Sequence, residues 1–438
     1  MQRKIYHKLL AWKQAGAAKP LMIIGARQTG KTYTVSQFAA REFPQSVYFN
    51  LFDRKDVVEL FDANINTQEK IDRLALLAGH PIDFKNTLLF IDEIQESEKA
   101  IEAMKFFCEA KEHYNVVCAG SLLGVKLKRF SGSFPVGKVS LLHMYPMDFE
   151  EYLIAAGESL LATHIRECLG NNLPVMAPLH EKCLGLLRRY LCVGGLPEAV
   201  AQLLARDNDV LRFDRLLPAN LVESYIADMS KYVKNPQESA RVEAVYRSIP
   251  SQLGNRSHKF QYAKIRSGAK GRDYGSAIHW LTASEMVHQC FCASLPQKPL
   301  KGFADPQVFK LFLNDPGLLC SLAGIDFLDV MLDKPFTYKG ILTESYVAGQ
   351  LVAAGIPLMY WRNENTAEVD FLLENSKGVV PLEAKAGTNK KTQSLRVYQT
   401  LYKPSLSIRT TARNFGLANQ IRSVPLYALF ALPQALLV

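Results

Sequence analysis

Residues 20–32, PLMIIGARQTGKT, constrain the fold of this chain more than any other stretch. The apolar run LMII stops at Gly25, and the spacing G-x-x-x-x-G-K-T follows at once. The next residues place Val35, Phe38 and Ala39 at the spacing of one helix face. A buried strand, a glycine-rich turn and a helix in this order are typical of a phosphate-binding unit in a parallel α/β sheet. The alternative is a glycine-rich turn that arose by chance.

The turn contains the residue types that phosphate binding requires. Gly25 and Gly30 let the backbone approach phosphate oxygens, and consecutive amide groups surround those oxygens at the start of a helix. Lys31 supplies a positive charge to the β- and γ-phosphates, and Thr32 supplies a hydroxyl to Mg²⁺. We therefore predict that a nucleotide is bound by Gly25, Ala26, Arg27, Gln28, Thr29, Gly30, Lys31, Thr32 and Tyr33.

A second apolar run, TLLFIDEIQ at 87–95, places two acids where a buried strand ends. Parallel sheets carry their chemistry at the carboxyl ends of strands, so Asp92 and Glu93 are expected beside the phosphates. Asp92 would complete the Mg²⁺ site, and Glu93 would polarise the attacking water. Ser121 ends a third run, NVVCAGS, and would sense the same phosphate, while SVYFNLFD supplies a fourth strand. The pattern therefore favours nucleotide hydrolysis, with Lys31, Glu93 and Ser121 as catalytic residues.

Several motifs of the chain resemble those of a known group: GARQTGKT, LLFIDEIQ, CAGSLLG, LHMYPMDFEEYL, YLCVGGLPEAV, LVESYIADMSKY and FKLFLNDPGLLCSL. The chain is similar, over nearly its whole length, to the bacterial and archaeal AAA-type ATPases with a C-terminal domain of unknown function. The resemblance implies ATP and Mg²⁺ as ligands and is compatible with a ring, a dimer or a monomer. Gly137-Lys138 stands where the group is expected to show Gly-Arg, so Arg129 is the neighbouring candidate for an arginine finger.

Composition narrows the partners and the compartment. The formal net charge is +10, from 52 basic and 42 acidic residues, which favours an acidic partner such as DNA, although many basic proteins bind none. The eight cysteines form no C-x-x-C pair, so buried free thiols of a reducing compartment are expected. The segment MQRKIYHKLLAWKQ has no signal-peptide features, and no uncharged apolar run reaches the roughly 18 residues of a membrane span. We expect a cytoplasmic protein without a membrane partner.

The middle of the chain is less informative. Residues 145–236 are rich in Leu and Ala and predict helices, with a break at Gly194-Gly195. A further helix is expected to end near Gly254, followed by the basic segment RSHKFQYAKIRSGAKGRD, another helix and a β-rich stretch. Winged-helix units have this order, and they bind either DNA or proteins.

The stretch EVDFLLENSKGVVPLEAKAG predicts a hairpin that carries charges on a buried face. A four-residue turn at NSKG pairs Glu374 with Val379, and the register then brings Asp370 opposite Glu383. Lys385 lies two residues beyond Glu383 and therefore shares its face. Two facing carboxylates repel each other unless a cation lies between them, so the pattern indicates a site.

Asp370, Glu383 and Lys385 have the D-x₁₂-E-x-K spacing of the PD-(D/E)xK nuclease fold. In that fold the acids bind Mg²⁺ and the lysine orients the attacking water. Glu344 lies on an apolar helix face within KGILTESYVAGQLVAAG, where an unpaired carboxylate is costly, and matches the glutamate that this superfamily often adds. We therefore predict a metal site of Glu344, Asp370 and Glu383 with Lys385 as a catalytic residue. The alternative is an ordinary hairpin face with a cross-strand ion pair between Glu368 and Lys385.

The chain as a whole is predicted to be an α/β protein with four parts. These are a P-loop NTPase parallel sheet (1–150), a helical lid and connecting bundle (151–235), a winged-helix-like segment (236–305) and a PD-(D/E)xK-like α/β domain (306–438). The leading hypothesis is an ATP-hydrolysing switch or motor that acts on DNA through its C-terminal half. The alternatives are an ATP-gated, Mg²⁺-dependent nuclease and an ATP-driven regulatory protein with a protein partner.

Overall fold

A computed structural model of the chain describes residues 1–83, 85–110, 112–129, 135, 137–233, 235–254, 259–363, 367–387 and 393–432. The side chains of residues 127–129, and with them the candidate Arg129, lie outside this description. The chain divides into two compact units, the first of Met1–Tyr145 with Ala283–Glu285 and the second of Pro146–Thr282 with Met286–Val438.

The first unit contains a parallel sheet of five strands. The strands are β1 Leu21–Ile24, β2 Gln45–Asn50, β3 Thr87–Asp92, β4 Asn115–Gly120 and β5 Ser140–His143. The helices are α1 Ile5–Gln14, α2 Lys31–Glu42, α3 Lys55–Asp62, α4 Thr67–Ala78, α5 Glu98–Glu109 and α6 Leu123–Arg129. The strand order is β2-β3-β4-β1-β5, and every pairing is parallel. The predicted P-loop sheet is confirmed.

The apolar runs of the sequence explain this sheet. Every residue of β1, β3 and β4 is buried, as expected for strands covered on both faces. Side chains that alternate along the strands belong to two apolar clusters, one containing Leu89 and Ile91 and the other containing Leu88 and Phe90. Helix α2 buries Val35 in the second cluster. The sheet therefore holds the carboxyl ends of β1, β3 and β4 at one edge.

The second unit begins with the predicted helices. They are α7 Phe149–Ala155, α8 Ser159–Asn171, α9 Ala177–Val193, α10 Pro197–Leu204 and α11 Leu216–Tyr232. The break between α9 and α10 is held by Asp315, whose Oδ2 accepts a hydrogen bond from the Gly195 amide at 2.6 Å. Gly194 has φ +78°, and a Cβ there would lie 1.9 Å from Asp315 Oδ1. Only glycine fits this position, which explains the Gly-Gly break.

Helices α12 Pro236–Leu253 and α13 Gly271–Ala283 follow, and then strands β6 Val287–Ala293 and β7 Ala304–Leu313 form an antiparallel pair. The next helices are α14 Pro316–Ala323, α15 Phe327–Met331 and α16 Lys339–Ala353. Asp315 caps α14, since its Oδ1 accepts from the amides of Gly317 (2.8 Å) and Leu318 (3.1 Å).

The remaining elements build two more sheets. They are β8 Met359–Asn363, β9 Ala367–Val369, β10 Phe371–Asn375, β11 Gly378–Ala384, α17 Gln393–Tyr402, β12 Ser407–Thr411, β13 Gly416–Ala418 and β14 Ile421–Pro425. One sheet has the order β7-β6-β8-β9 and the other β10-β11-β12-β14-β13. The hairpin β10–β11 pairs Glu374 with Val379, which is the predicted register. The chain is therefore α/β throughout, as predicted.

Two expectations from composition also have structural counterparts. All eight cysteines are free thiols, and seven of them are buried. Among the helices in the described part of the chain, none combines the length and the apolar character that crossing a membrane requires.

Candidate functional site

The glycine-rich turn lies between β1 and α2 and is shaped by close approaches. A Cβ at Gly25 would lie 2.2 Å from the Met144 carbonyl oxygen, so glycine is required at that position. Gly30 has φ +88°, in the left-handed region that favours glycine, and immediately precedes α2. The Thr29 hydroxyl donates to the Ala26 carbonyl at 3.0 Å and closes the turn from within. The amides at the start of α2 lie at the sheet edge, an arrangement that is suited to an anion.

Lys31 is buried beneath this turn, and its side chain reaches back over it. Its Nζ donates to the carbonyls of Gly25 (2.9 Å) and Ala26 (2.7 Å). Burial lowers the pKa of Lys31 to about 8, although the carboxylates of Glu93 and Asp92 oppose this effect. The ammonium is therefore held where phosphate oxygens would compete for it.

Asp92 connects β3 to the start of α2. Its Oδ2 accepts a hydrogen bond from the Thr32 hydroxyl at 2.6 Å and another from the Tyr48 hydroxyl at 3.3 Å. Burial raises the pKa of Asp92, while the hydrogen bond from Thr32 lowers it. Burial and the charge of Asp92 raise the pKa of Tyr48 to about 12. The site thus combines a hydroxyl and a carboxylate, the hard oxygen ligands that Mg²⁺ prefers.

Glu93 follows Asp92 in an unusual backbone conformation. Its φ and ψ are +50° and 42°, a left-handed geometry that costs a non-glycine residue about 1 kcal/mol and is common at functional sites. Glu93 Oε2 accepts hydrogen bonds from the Gln95 side-chain amide and, at 3.4 Å, from the Ser121 hydroxyl. The end of β4 therefore touches the acid that ends β3.

Gln95 is buried and fits against a glycine of the neighbouring strand. A Cβ at Gly120 would lie 2.1 Å from Gln95 Oε1, so any larger residue there would displace the amide. Position 120 therefore controls the side chain that holds Glu93. The sequence predicted no role for Gln95 or Gly120, although the segments LLFIDEIQ and NVVCAGS contain both.

Arg3 is a further residue that the sequence analysis did not identify. Its guanidinium is buried and donates to the carbonyls of Thr29 and Tyr145, each at 2.6 Å. It thereby ties the glycine-rich turn to the residues that follow β5. No local pattern marks this residue, because the contact joins positions that are far apart in the chain.

The remaining predicted ligands lie along the same turn. Ala26 is buried, Arg27 is half-buried and Gln28 is exposed with φ +62°. Tyr33 is 55% exposed on the first turn of α2. The structure therefore brings the predicted P-loop residues, Asp92, Glu93 and Ser121 to one sheet edge. Lys138, which replaces the expected arginine, pairs with Glu109 at 3.0 Å on the surface.

The second cluster of charges lies in the second unit. Lys310, on β7, has a side chain that is 7% exposed, and its Nζ donates to Glu344 Oε1 and Glu368 Oε1, each at 2.7 Å. One carboxylate oxygen from each of Glu344, Glu368 and Asp370 lies within 4.8 Å of the other two. Burial would lower the pKa of Lys310, but the neighbouring carboxylates raise it well above its ordinary value.

The predicted Asp370, Glu383 and Lys385 lie beside this cluster. Lys385 Nζ is 2.8 Å from Glu383 Oε1, and Asp370 Oδ2 accepts from the Ala384 amide at 2.8 Å. Burial and the charge of Glu344 raise the pKa of Asp370 to about 7. Where the sequence predicted Glu344, Asp370 and Glu383 as the metal site, the structure groups Glu344 and Asp370 with Glu368 and places Glu383 against Lys385.

Lys310 is the residue of this cluster that the sequence analysis missed. It stands alone among apolar residues in the strand sequence VFKLFL, and a single charge in a buried strand needs a partner. The sequence therefore predicts that Lys310 has an acidic partner, but it does not identify which residues are the partners.

Comparisons with known proteins agree with this geometry. The model of a family described as an AAA domain matches residues 17–153. Two further models, described as domains of unknown function DUF8612 and DUF4143, match residues 184–329 and 339–429. Among curated proteins, none matches the chain.

The solved structures that match this chain share little sequence with it. A Walker-type ATPase of Pyrococcus abyssi has 13% identity and a TM-score of 0.45, with 74% of this chain and 95% of that chain covered. The ORC2 protein of Aeropyrum pernix, in ADPNP–ADP complexes, has 13% identity and a TM-score of 0.38, with coverage of 75% and 92%.

The family matches and the motifs point to the same conclusion. The AAA match contains the complete glycine-rich turn, Asp92, Glu93 and Ser121, and the other two matches extend almost to the end of the chain. The chain therefore contains an AAA-type P-loop domain at residues 17–153, followed by two domains of unknown function at residues 184–329 and 339–429.

Proposed function

We propose that this protein hydrolyses ATP with Mg²⁺ at the P-loop and uses the reaction as a switch or motor on DNA. The observation that carries the hydrolysis part is the contact of 2.6 Å between the Thr32 hydroxyl and the Asp92 carboxylate, with Glu93 next in the chain. A hydroxyl and a carboxylate at the mouth of an anion site fit a magnesium nucleotide.

Each residue then has a defined part in the reaction. Thr32 and Asp92 would hold the Mg²⁺, which neutralises charge on the phosphates when bound. Lys31 would exchange its two carbonyl acceptors for phosphate oxygens. Glu93 would orient and polarise water, and Ser121, which donates to Glu93, would report the state of the γ-phosphate.

The DNA part of the proposal rests on charge around α13. Helices α12 and α13 followed by the β6–β7 hairpin have the order of a winged-helix unit. Five cations near the start of α13 are exposed, and a basic surface of this kind binds the phosphate backbone. They are Lys259, Lys264, Arg266, Lys270 and Arg272.

Two other functions remain as alternatives. A Mg²⁺-dependent nuclease is favoured by the proximity of Glu344, Glu368 and Asp370, but the ammonium of Lys310 counts against it. A protein partner is favoured by the frequent use of winged-helix units in protein binding. In that case binding would depend weakly on salt, whereas DNA binding would depend on it steeply.

The test of hydrolysis compares wild type with Glu93→Gln and Lys31→Ala. We expect ATP turnover in wild type, retained nucleotide binding without turnover in Glu93→Gln, and loss of both in Lys31→Ala. Turnover in Glu93→Gln at the wild-type rate would refute the assigned role of Glu93.

The test of DNA action uses the same samples. Supercoiled and linear DNA would be added with Mg²⁺, and binding, cleavage and ATP turnover recorded together. Lys270→Glu with Arg272→Glu should weaken DNA binding and flatten its salt dependence, while the exposed pair Lys377→Glu with Lys403→Glu serves as a charge-matched control. Equal loss in both double variants, or no DNA binding by wild type, would remove DNA from the proposal. Cleavage lost in Glu383→Ala would favour the nuclease.

A further inference from the structure

Lys310 sits at the centre of the acidic cluster in the second unit. Its ammonium is 2.7 Å from a carboxylate oxygen of Glu344 and 2.7 Å from one of Glu368. The ammonium also lies 5.0 Å from the ring centroid of Tyr360, which adds a cation–π contact. The cluster is therefore neutralised in part by a side chain of the same domain.

A divalent cation would need the same oxygens. Mg²⁺ binds carboxylate oxygens at about 2.0–2.1 Å and prefers an octahedral shell. One oxygen of Glu344 and one of Glu368 already contact the Lys310 ammonium, so an ion bound between these two carboxylates would meet that ammonium. A second cation at this distance would be repelled strongly in a buried site. The residues therefore do not fit the metal that the D-x₁₂-E-x-K spacing implies.

The other acids of the signature also have partners from the chain. Glu383 pairs with Lys385 at 2.8 Å, and Asp370 accepts a backbone hydrogen bond from Ala384 at 2.8 Å. Buried Lys310 and half-buried Lys385 thus form ion pairs with carboxylates that would bind the metal in a nuclease. We propose that the Lys310 ammonium permanently takes the place of a divalent cation between Glu344 and Glu368.

The surroundings of Lys310 make the proposal testable. Lys310 and Glu344 both line a cavity of about 220 Å³, which also contacts Lys259, Phe260 and Gly340. A small ion can therefore reach the carboxylates once the ammonium is removed. Shortening or neutralising the side chain should convert the cluster into a metal site.

The experiment measures Mn²⁺ binding to nucleotide-free, full-length protein by calorimetry and by the shift in melting temperature. Wild type and the exposed control Lys301→Gln should show no Mn²⁺ binding at this cluster. Lys310→Gln and Lys310→Ala should bind Mn²⁺ with a dissociation constant at least about tenfold below the detection limit set by wild type, since a competing charge is gone. Adding Glu344→Gln to either variant should remove the new binding.

Two results would overturn the proposal. The first is Mn²⁺ binding by wild type that Glu344→Gln abolishes, a measurement that requires no Lys310 variant to fold. The second is a folded Lys310 variant with no gain in Mn²⁺ affinity. The inference does not depend on nucleotide hydrolysis, because ATP turnover recorded on the same samples reports on the P-loop separately.

Discussion

Replacing Gly120 by alanine tests whether Gln95 positions the carboxylate of Glu93, the residue proposed to polarise the attacking water. The new Cβ would lie 2.1 Å from Gln95 Oε1, and the amide would have to leave its hydrogen bond with Glu93. A hydrogen bond to a charged group contributes about 1.5–3 kcal/mol, which corresponds to a rate factor of roughly 10–150 if the bond is needed in the transition state. We expect kcat for ATP hydrolysis to fall within this range while ATP binding is kept.

A double-mutant cycle makes the prediction specific. Gln95→Ala alone should lower kcat to a similar extent, and Gly120→Ala should cause little further loss in the Gln95→Ala background, because the clashing oxygen is gone. The remaining close neighbour, the Leu123 Cβ at 3.2 Å, limits this rescue slightly. Additive losses of kcat in the double variant would refute this reasoning and would indicate that Gly120→Ala disturbs β4 independently of Gln95. Gly170→Ala, whose Cβ meets open space in α8, is the control for alanine substitution.

The other predictions concern Lys31 and Asp315. Because burial lowers the pKa of Lys31 to about 8 and phosphates raise it on binding, ATP binding near and above pH 8 should take up a proton and weaken as pH rises. Calorimetry in buffers of different ionisation enthalpy measures the uptake, and Lys31→Arg, which stays charged, should not show it. Asp315→Ala removes three buried amide contacts and should cost about 3 kcal/mol or more of unfolding free energy in urea. Asp326→Ala, which removes an exposed helix cap, should lower the free energy of unfolding by about 1 kcal/mol. Equal losses of unfolding free energy in Asp315→Ala and Asp326→Ala would contradict the prediction.

The sequence predicted the elements whose pattern is local. The strands β3 and β4 are continuous apolar runs, so the sequence predicted both their burial and the polar residues at their ends. The hairpin register followed from the turn at NSKG, and the pairing of Glu374 with Val379 confirms it. Local patterns were sufficient because strand burial and turn geometry depend on neighbouring residues.

Contacts between distant positions were not predictable in this way. Lys310 is 58 residues from Glu368, so neither spacing nor periodicity could connect the two. Arg3 reaches Tyr145 over 142 residues for the same reason. Gln95 is close to Glu93 in sequence, but its role depends on the missing side chain of Gly120 in another strand. Such contacts require the tertiary structure.

The hydrogen bonds of Arg3 and Thr29 bear on how the protein could distinguish ATP from ADP. These hydrogen bonds hold the glycine-rich turn in place without a ligand. Nucleotide binding would therefore lose little free energy to ordering of the turn. A turn with a fixed conformation would bind the phosphates that ATP and ADP share in the same way. Under the proposed function, the difference between the two nucleotides would then be sensed by the residues that follow β3 and β4, where Glu93 contacts Gln95 and Ser121.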